Sequence, residues 1–294
     1  MNRDRQERSV GRSVQEYLRG IVGGLLFSLP LLYTMEVWWA GYTMHPIRLL
    51  LYVLATFTLL LGYNRYGGLR CDASPAEVAI DSVEEMGIGI AISTVVLWLL
   101  GQLTFDLPIS EVVGKIATES MTVAIGVSVG TAQLGGDSKS GDTGMDNEPS
   151  QAQSHSGPFL SLEGSDISGQ LAIATCGSVL FAANVAPTEE IFIIATQSNP
   201  YKLIGMALLS MLLGTIILFY SNFNGAQSFS QSRGIKNVLS GAVITYAISL
   251  VVSAAILWVF GRFDGTSAIV CLSETVVLGV AATLGASAGR LLLQ

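Results

Sequence analysis

TESMTVAIGVSVGTA (residues 118–132) and SETVVLGVAATLGASA (residues 273–288) align without a gap at an offset of 155, and each sets a glutamate near the head of an apolar run. Working outward, Trp98 with Gly101 is matched by Trp258 with Gly261 at an offset of 160. Thr34-Met35-Glu36, with Pro46 ten residues after the glutamate, is matched by Thr188-Glu189-Glu190 with Pro200, at an offset of 154. Small insertions and deletions in loops account for the drift. Self-similarity at a near-constant offset across a whole chain is the mark of a duplicated architecture.

The runs between these anchors are long enough to cross a bilayer, which takes roughly 20 mostly apolar residues. Eight spans are expected, near 20–43, 47–63, 84–103, 110–134, 167–196, 202–220, 237–261 and 266–289. The composition agrees: 50% of the 294 residues are apolar and 13% charged, a balance rare in a water-soluble domain. The fold class expected is an all-α polytopic membrane protein of two four-helix repeats. An even number of spans per repeat makes the repeats parallel. The chain then divides into a basic cytoplasmic leader (1–19), a first repeat (20–134), a flexible acidic cytoplasmic linker (135–165) and a second repeat (166–294).

Charge sets the orientation. The leader carries Arg3, Arg5, Arg8, Arg12 and Arg19, and Arg65, Arg70, Lys139, Arg233, Lys236 and Arg290 fall on the same side; only Arg48, Lys115, Lys202 and Arg262 fall on the other. The positive-inside rule then places both termini in the cytoplasm of a cell whose inner membrane the chain crosses several times. The formal charge of −7 is uneven: Asp137, Asp142, Asp146, Glu148, Glu163 and Asp166 crowd one polar stretch in and next to the linker, answered only by Lys139. Cys71, Cys176 and Cys271 are too scattered for a disulfide framework or a zinc site. No nucleophile with a base, metal cluster or phosphate loop is visible, so neither enzymatic activity nor a cofactor is expected.

The chemistry lies in the intramembrane glutamates. Each repeat supplies one from its first span and one from its last: Glu36 and Glu119, then Glu190 and Glu274. At about 2.5–3.5 kcal/mol for a carboxylate at mid-membrane, four near the centre would cost about 10–14 kcal/mol. Such a cost needs a shared proton, a water-filled cavity or a bound cation. Hard cations favour carboxylate, hydroxyl and carbonyl oxygens, and Glu189, Asn184 and Thr188 add these beside Pro187. Pro30 and Pro187 remove backbone donors and should kink both first spans near the glutamates. The competing reading is that glutamates after Thr or Ser cap interrupted helices or tie the bundle together. Ser82 and Glu85 have the spacing of a capping box, His45 before Pro46 reads as a turn residue, and Gly126/Gly130 and Gly285/Gly289 as close-packing faces.

The stretch YLRGIVGGLLFSLPLLYTMEVWWAGYTMHPIRLL (residues 17–50) and the segment APTEEIF (186–192) resemble a family of uncharacterised bacterial integral membrane proteins. That likeness implies the class and no activity. Pro187-Thr188-Glu189-Glu190 also resembles, more faintly, the Pro-Glu signature of cation/proton exchangers, although those have inverted five-helix repeats and a Gly-rich approach. The expectation is a transporter of a small cation, possibly coupled to protons, with a passive cation channel or a non-transporting membrane scaffold or sensor as alternatives. Its partners would be the lipid bilayer and a small cation or proton, with no nucleic acid; assembly into an oligomer stays open.

Overall fold

The structure, a computed structural model, describes residues 10–67, 74–133, 165–225 and 235–292. The leader arginines before residue 10 and nearly all of the acidic linker lie outside the described residues. Ten helices follow one another: α1 (Val10–Leu32), α2 (Met35–Thr43), α3 (Pro46–Tyr66), α4 (Pro75–Leu99), α5 (Ile109–Gln133), α6 (Ser165–Val185), α7 (Glu189–Gln197), α8 (Pro200–Gly225), α9 (Ile235–Val259) and α10 (Ala268–Leu292). No strand occurs among the described residues. Six of the helices (α3, α4, α5, α8, α9 and α10) are long and apolar enough to cross a membrane, and counting the bent pair α6 with α7 gives up to seven.

Eight helices were expected and ten are present among the described residues, because the spans expected at 20–43 and 167–196 are each broken in two. The cause is local. Pro30 sits in the last turn of α1 and buried Pro187 directly after α6, and each is followed within four residues by a threonine in extended backbone conformation, Thr34 or Thr188, that starts a nine-residue helix. α6 and α7 meet at 89°. Carbonyls freed at the breaks are not left bare: Thr34 Oγ1 donates to Pro30 O at 2.6 Å and Trp38 Nε1 to Leu32 O at 3.2 Å, while Thr188 Oγ1 donates to Val185 O at 2.8 Å. His45 is indeed a turn residue, accepting from Ile47 N at 3.3 Å to cap α3. The capping box expected at Ser82 and Glu85 lies one helix start too late. Ser74 and Glu77 form it, with Pro75 in the first turn, so α4 begins at Pro75 rather than near residue 84.

The most extensive packing is α1 on α5 and α6 on α10, and glycine decides both. A Cβ on Gly23 would strike Gly130 Cα and come 2.8 Å from Gly126 O; one on Gly177 would strike Gly285 O. The small faces read from the sequence are thus where backbones touch. Gly62 and Tyr66 of α3 lie against Ala172 and Gly169 of α6, so these two helices run antiparallel. α3 also packs on α9, whereas α8 makes no comparable contact with α1 or α4 among the described residues. The main core, from Leu60 and Ile125 to Leu257, Leu278 and Ala282, fills the space where the two halves of the chain meet.

Candidate functional site

The four sequence-predicted glutamates have very different surroundings. Glu119 and Glu274 are fully buried, and neither oxygen of either carboxylate has a hydrogen-bond partner among the described residues. Glu119 lies ten residues into α5 and Glu274 six into α10, about 15 Å and 9 Å from the helix starts at 1.5 Å per residue. Preceding hydroxyls do not reach them: Thr118 Oγ1 donates back to Gly114 O at 2.9 Å and Ser273 Oγ to Ile269 O at 2.9 Å. An unpaired buried carboxylate is among the most costly groups a fold can hold.

Glu36 and Glu190 sit elsewhere. Both occupy the first turn of a short helix, α2 or α7; Glu36 is half-buried and Glu190 exposed. There they complement the positive end of the helix dipole. Glu189 is also exposed and pairs with Arg262, Nη1 to Oε1 at 3.3 Å, while Arg262 Nη2 donates to Thr188 O at 2.8 Å. Thr188 therefore has both its hydroxyl and its carbonyl engaged. Asn184 Nδ2 donates to Leu180 O and, at 3.4 Å, to Phe27 O on α1, leaving a buried Oδ1 without a partner. The predicted residues do not converge on one ring in any contact the structure records: Glu274 lies within electrostatic reach of Glu189 and Arg262, Glu119 near Tyr52, and Asn184 at the α1–α6 junction.

Cations near the two buried acids are already engaged. Lys115 pairs with Glu111 at 2.7 Å, one turn before Glu119, and reaches Gln102 O at 3.3 Å. Tyr52 OH and Thr122 Oγ1 share a hydrogen bond of 3.1 Å beside Glu119, and the Tyr52 ring meets Phe260 with centroids 6.0 Å apart. Among the described residues no group of three or more His, Cys, Asp or Glu could hold a metal ion.

The model of the family described as "Putative integral membrane protein (DUF2391)" matches residues 16–293. The chain belongs to that family. No curated protein and no solved structure matches it significantly, so the likeness to cation/proton exchangers rests on Pro187–Glu190 alone. In this DUF2391 member a second polar centre joins residues that the sequence did not bring together. Asn64 on α3 donates to Ser82 Oγ (3.1 Å) and Glu85 Oε2 (2.7 Å) on α4, and its Oδ1 accepts from Ser128 Oγ on α5 at 2.9 Å. All four residues are buried. Ser82 and Glu85, read as a cap, instead tie three helices together. The signal available was the apolar flank on both sides of Glu85, which no exposed cap requires.

The bundle end carrying Arg48 holds a cleft of about 800 Å³, lined by residues 42–48 with Trp258, Phe260, Gly261 and Asp264. Arg48 crosses it in a two-pronged pair with Asp264 (2.6 and 2.8 Å) and lies 5.2 Å over the Trp258 ring. The hydrogen bond from Arg48 holds the Asp264 carboxyl below the usual carboxylate range. Gly261 and Gly265, at φ of 75°, allow the loop to turn around this pair.

Proposed function

We propose that this protein transports a small cation, with proton coupling, across the bacterial inner membrane, both termini facing the cytoplasm, and that Glu119 and Glu274 are the charges that receive it. The observation that carries this reading is the burial of two carboxylates at matching places in the two halves of the sequence, with all four of their oxygens lacking a partner among the described residues. A fold retains such groups when something positive visits them. The order of helix lengths, 23, 9, 21, 25 and 25 residues and then 21, 9, 26, 25 and 25, supports the two-repeat arrangement. The antiparallel run of α6 against α3 supports its parallel sense. Within this reading Glu36, Glu189, Glu190 and Thr188 shape the approach at the broken helices, and Asn184 lies between the halves.

The test is flux in proteoliposomes reporting both internal pH and tracer cation. Glu119→Gln and Glu274→Gln should each slow transport by at least about tenfold, equivalent to about 1.4 kcal/mol, and the double variant should abolish it. Glu36→Gln and Glu190→Gln should have much smaller effects. Wild-type flux in the double variant would end the proposal, and flux that needs no counter-gradient would replace the carrier with a passive channel. Loss of cellular function on deleting 135–165, with both glutamine variants active, would favour the scaffold or sensor.

A further inference from the structure

Besides the two glutamates, few buried side-chain oxygens lack partners among the described residues, and three of them share the glutamates' level in the bundle. Ser28, Ser93 and Ser253 are each fully buried with an unpartnered Oγ. Ser93 and Ser253 stand 160 residues apart, the same offset as Trp98 and Trp258 on the same helices, so the unpartnered serine is repeated just as the unpartnered glutamate is.

The helix register places these serines level with the acids. A Cβ on Gly89 of α4 would come 2.8 Å from Ser120 O of α5, and these helices are antiparallel, so Ser93, one turn on, is level with residues near 118. On α1, Gly20 faces Val127 and Thr131 while Gly24 faces Val123 and Val127, which brings Ser28, one turn further, to the level of residues 119–123. In the second half Gly279 of α10 faces Leu250 of α9, so Ser253 falls level with residues near 276, within a turn of Glu274. Ala182 takes the place of Ser28 there. Thr118, Ser120 and Ser273 by contrast spend their hydroxyl protons on carbonyls of their own helices.

The charge count at the two places is the same. Beside Glu119, Lys115 is paired with Glu111; beside Glu274, Arg262 is paired with the exposed Glu189 and still attracts the Glu274 carboxylate. Each place therefore carries one carboxylate in excess of its cations, with neutral hydroxyls at the same level of the bundle. A dehydrated divalent ion recruits several carboxylates as well as six or more oxygens. One carboxylate and one or two hydroxyls balance a single positive charge.

We infer that the chain holds two equivalent sites for a monovalent cation or proton, Glu119 with Ser93 and Ser28 in the first half and Glu274 with Ser253 in the second. This rests on the cation reading above and adds the ligand charge, the number of sites and the serines that complete them.

The test uses the full chain in nanodiscs, with ²²Na⁺ binding and the infrared carboxyl stretch measured as pH is varied. A metal-ion occupant would give two ²²Na⁺ per chain, falling to one in Glu119→Gln or Glu274→Gln. A proton occupant would give two protonated-carboxyl bands and no sodium, one band lost in each variant. In either case Ser93→Ala and Ser253→Ala should weaken binding about tenfold or shift the band of their own half only, since each removes an oxygen proposed to complete that half's site. Ser93→Thr should restore it, and Ser287→Ala, which removes a buried unpartnered hydroxyl far along α10, should change nothing. Unchanged affinity and bands in both alanine variants would overturn the inference, as would one ⁴⁵Ca²⁺ per chain needing both glutamates. Intact binding without flux would instead sink the transport proposal and keep the sites. Flux lost in the glutamine variants but indifferent to every serine would do the reverse.

Discussion

In the first half of the chain Asn64, Ser82, Glu85 and Ser128 join three helices through buried polar contacts; at the same offsets the second half has Leu218, Ala242, Thr245 and Thr283. In the second half it is the break between α6 and α7 that is tied, by Arg262 reaching Thr188 and Glu189, whereas Trp38 and Thr34 hold the break between α1 and α2. What the halves share is the glycine seam and the lone glutamate. The packing between them is one-sided too, α3 lying on α6 and α9 with no comparable contact from α8. The difference separates features that stand at matching positions in both halves from those found in one half only.

The hardest blow to this comparison would come at the seams. Gly23→Leu and Gly177→Leu should each cost about 3 kcal/mol or more of stability in detergent unfolding, since neither backbone can retreat from a side chain. If only one did so, the seams would not be equivalent. Glu119→Leu should next raise stability by about 2 kcal/mol in the same measurement, because a buried acid without partners is replaced by a group that needs none. Glu274→Leu should gain less, as it also gives up attraction to Arg262. Asn64→Ala should cost about 1–2 kcal/mol by orphaning Glu85 and Ser128. Thr283→Ala, whose hydroxyl donates only to Gly279 O within its own helix, should cost less than 1 kcal/mol.

The smallest effect belongs to the exposed pair of Arg48 and Asp264. The folded state holds the Asp264 carboxyl below its ordinary value of 3.8. Its contribution to stability is therefore complete above that value and fades as pH falls through the lowered one. Trp258 fluorescence, read through the overlying Arg48, should change at acid pH in the parent chain and be insensitive there in Asp264→Asn.

Much of this was legible in the sequence because it depends on local chemistry. Pro30 and Pro187 announce breaks wherever the helix packs, Gly126 and Gly285 announce close approach, and Glu119 and Glu274 stand out against an apolar run. The serines did not stand out, since a hydroxyl in an apolar helix normally satisfies itself on a carbonyl four residues back, and only packing reveals which ones do not. Glu36 and Glu119 look alike in sequence and differ in the structure because one follows a break and the other lies mid-helix. The Asn64 network and the reach of Arg262 to Glu189 join residues 64 with 128 and 189 with 262, separations that no local pattern records.

The glycine seams also say which parts can move. Where Gly23 meets Gly130 and Gly177 meets Gly285, backbone rests on backbone with no side chain to act as a bearing. Each long pair, α1 with α5 and α6 with α10, is then a single stiff beam with a carboxylate set into it, and the short helices behind Thr34 and Thr188 are its articulated ends. In the transporter proposed above, tilting such a pair against α4 or α9, the helices that carry Ser93 and Ser253, would open its glutamate to one side of the membrane and draw it away from that serine.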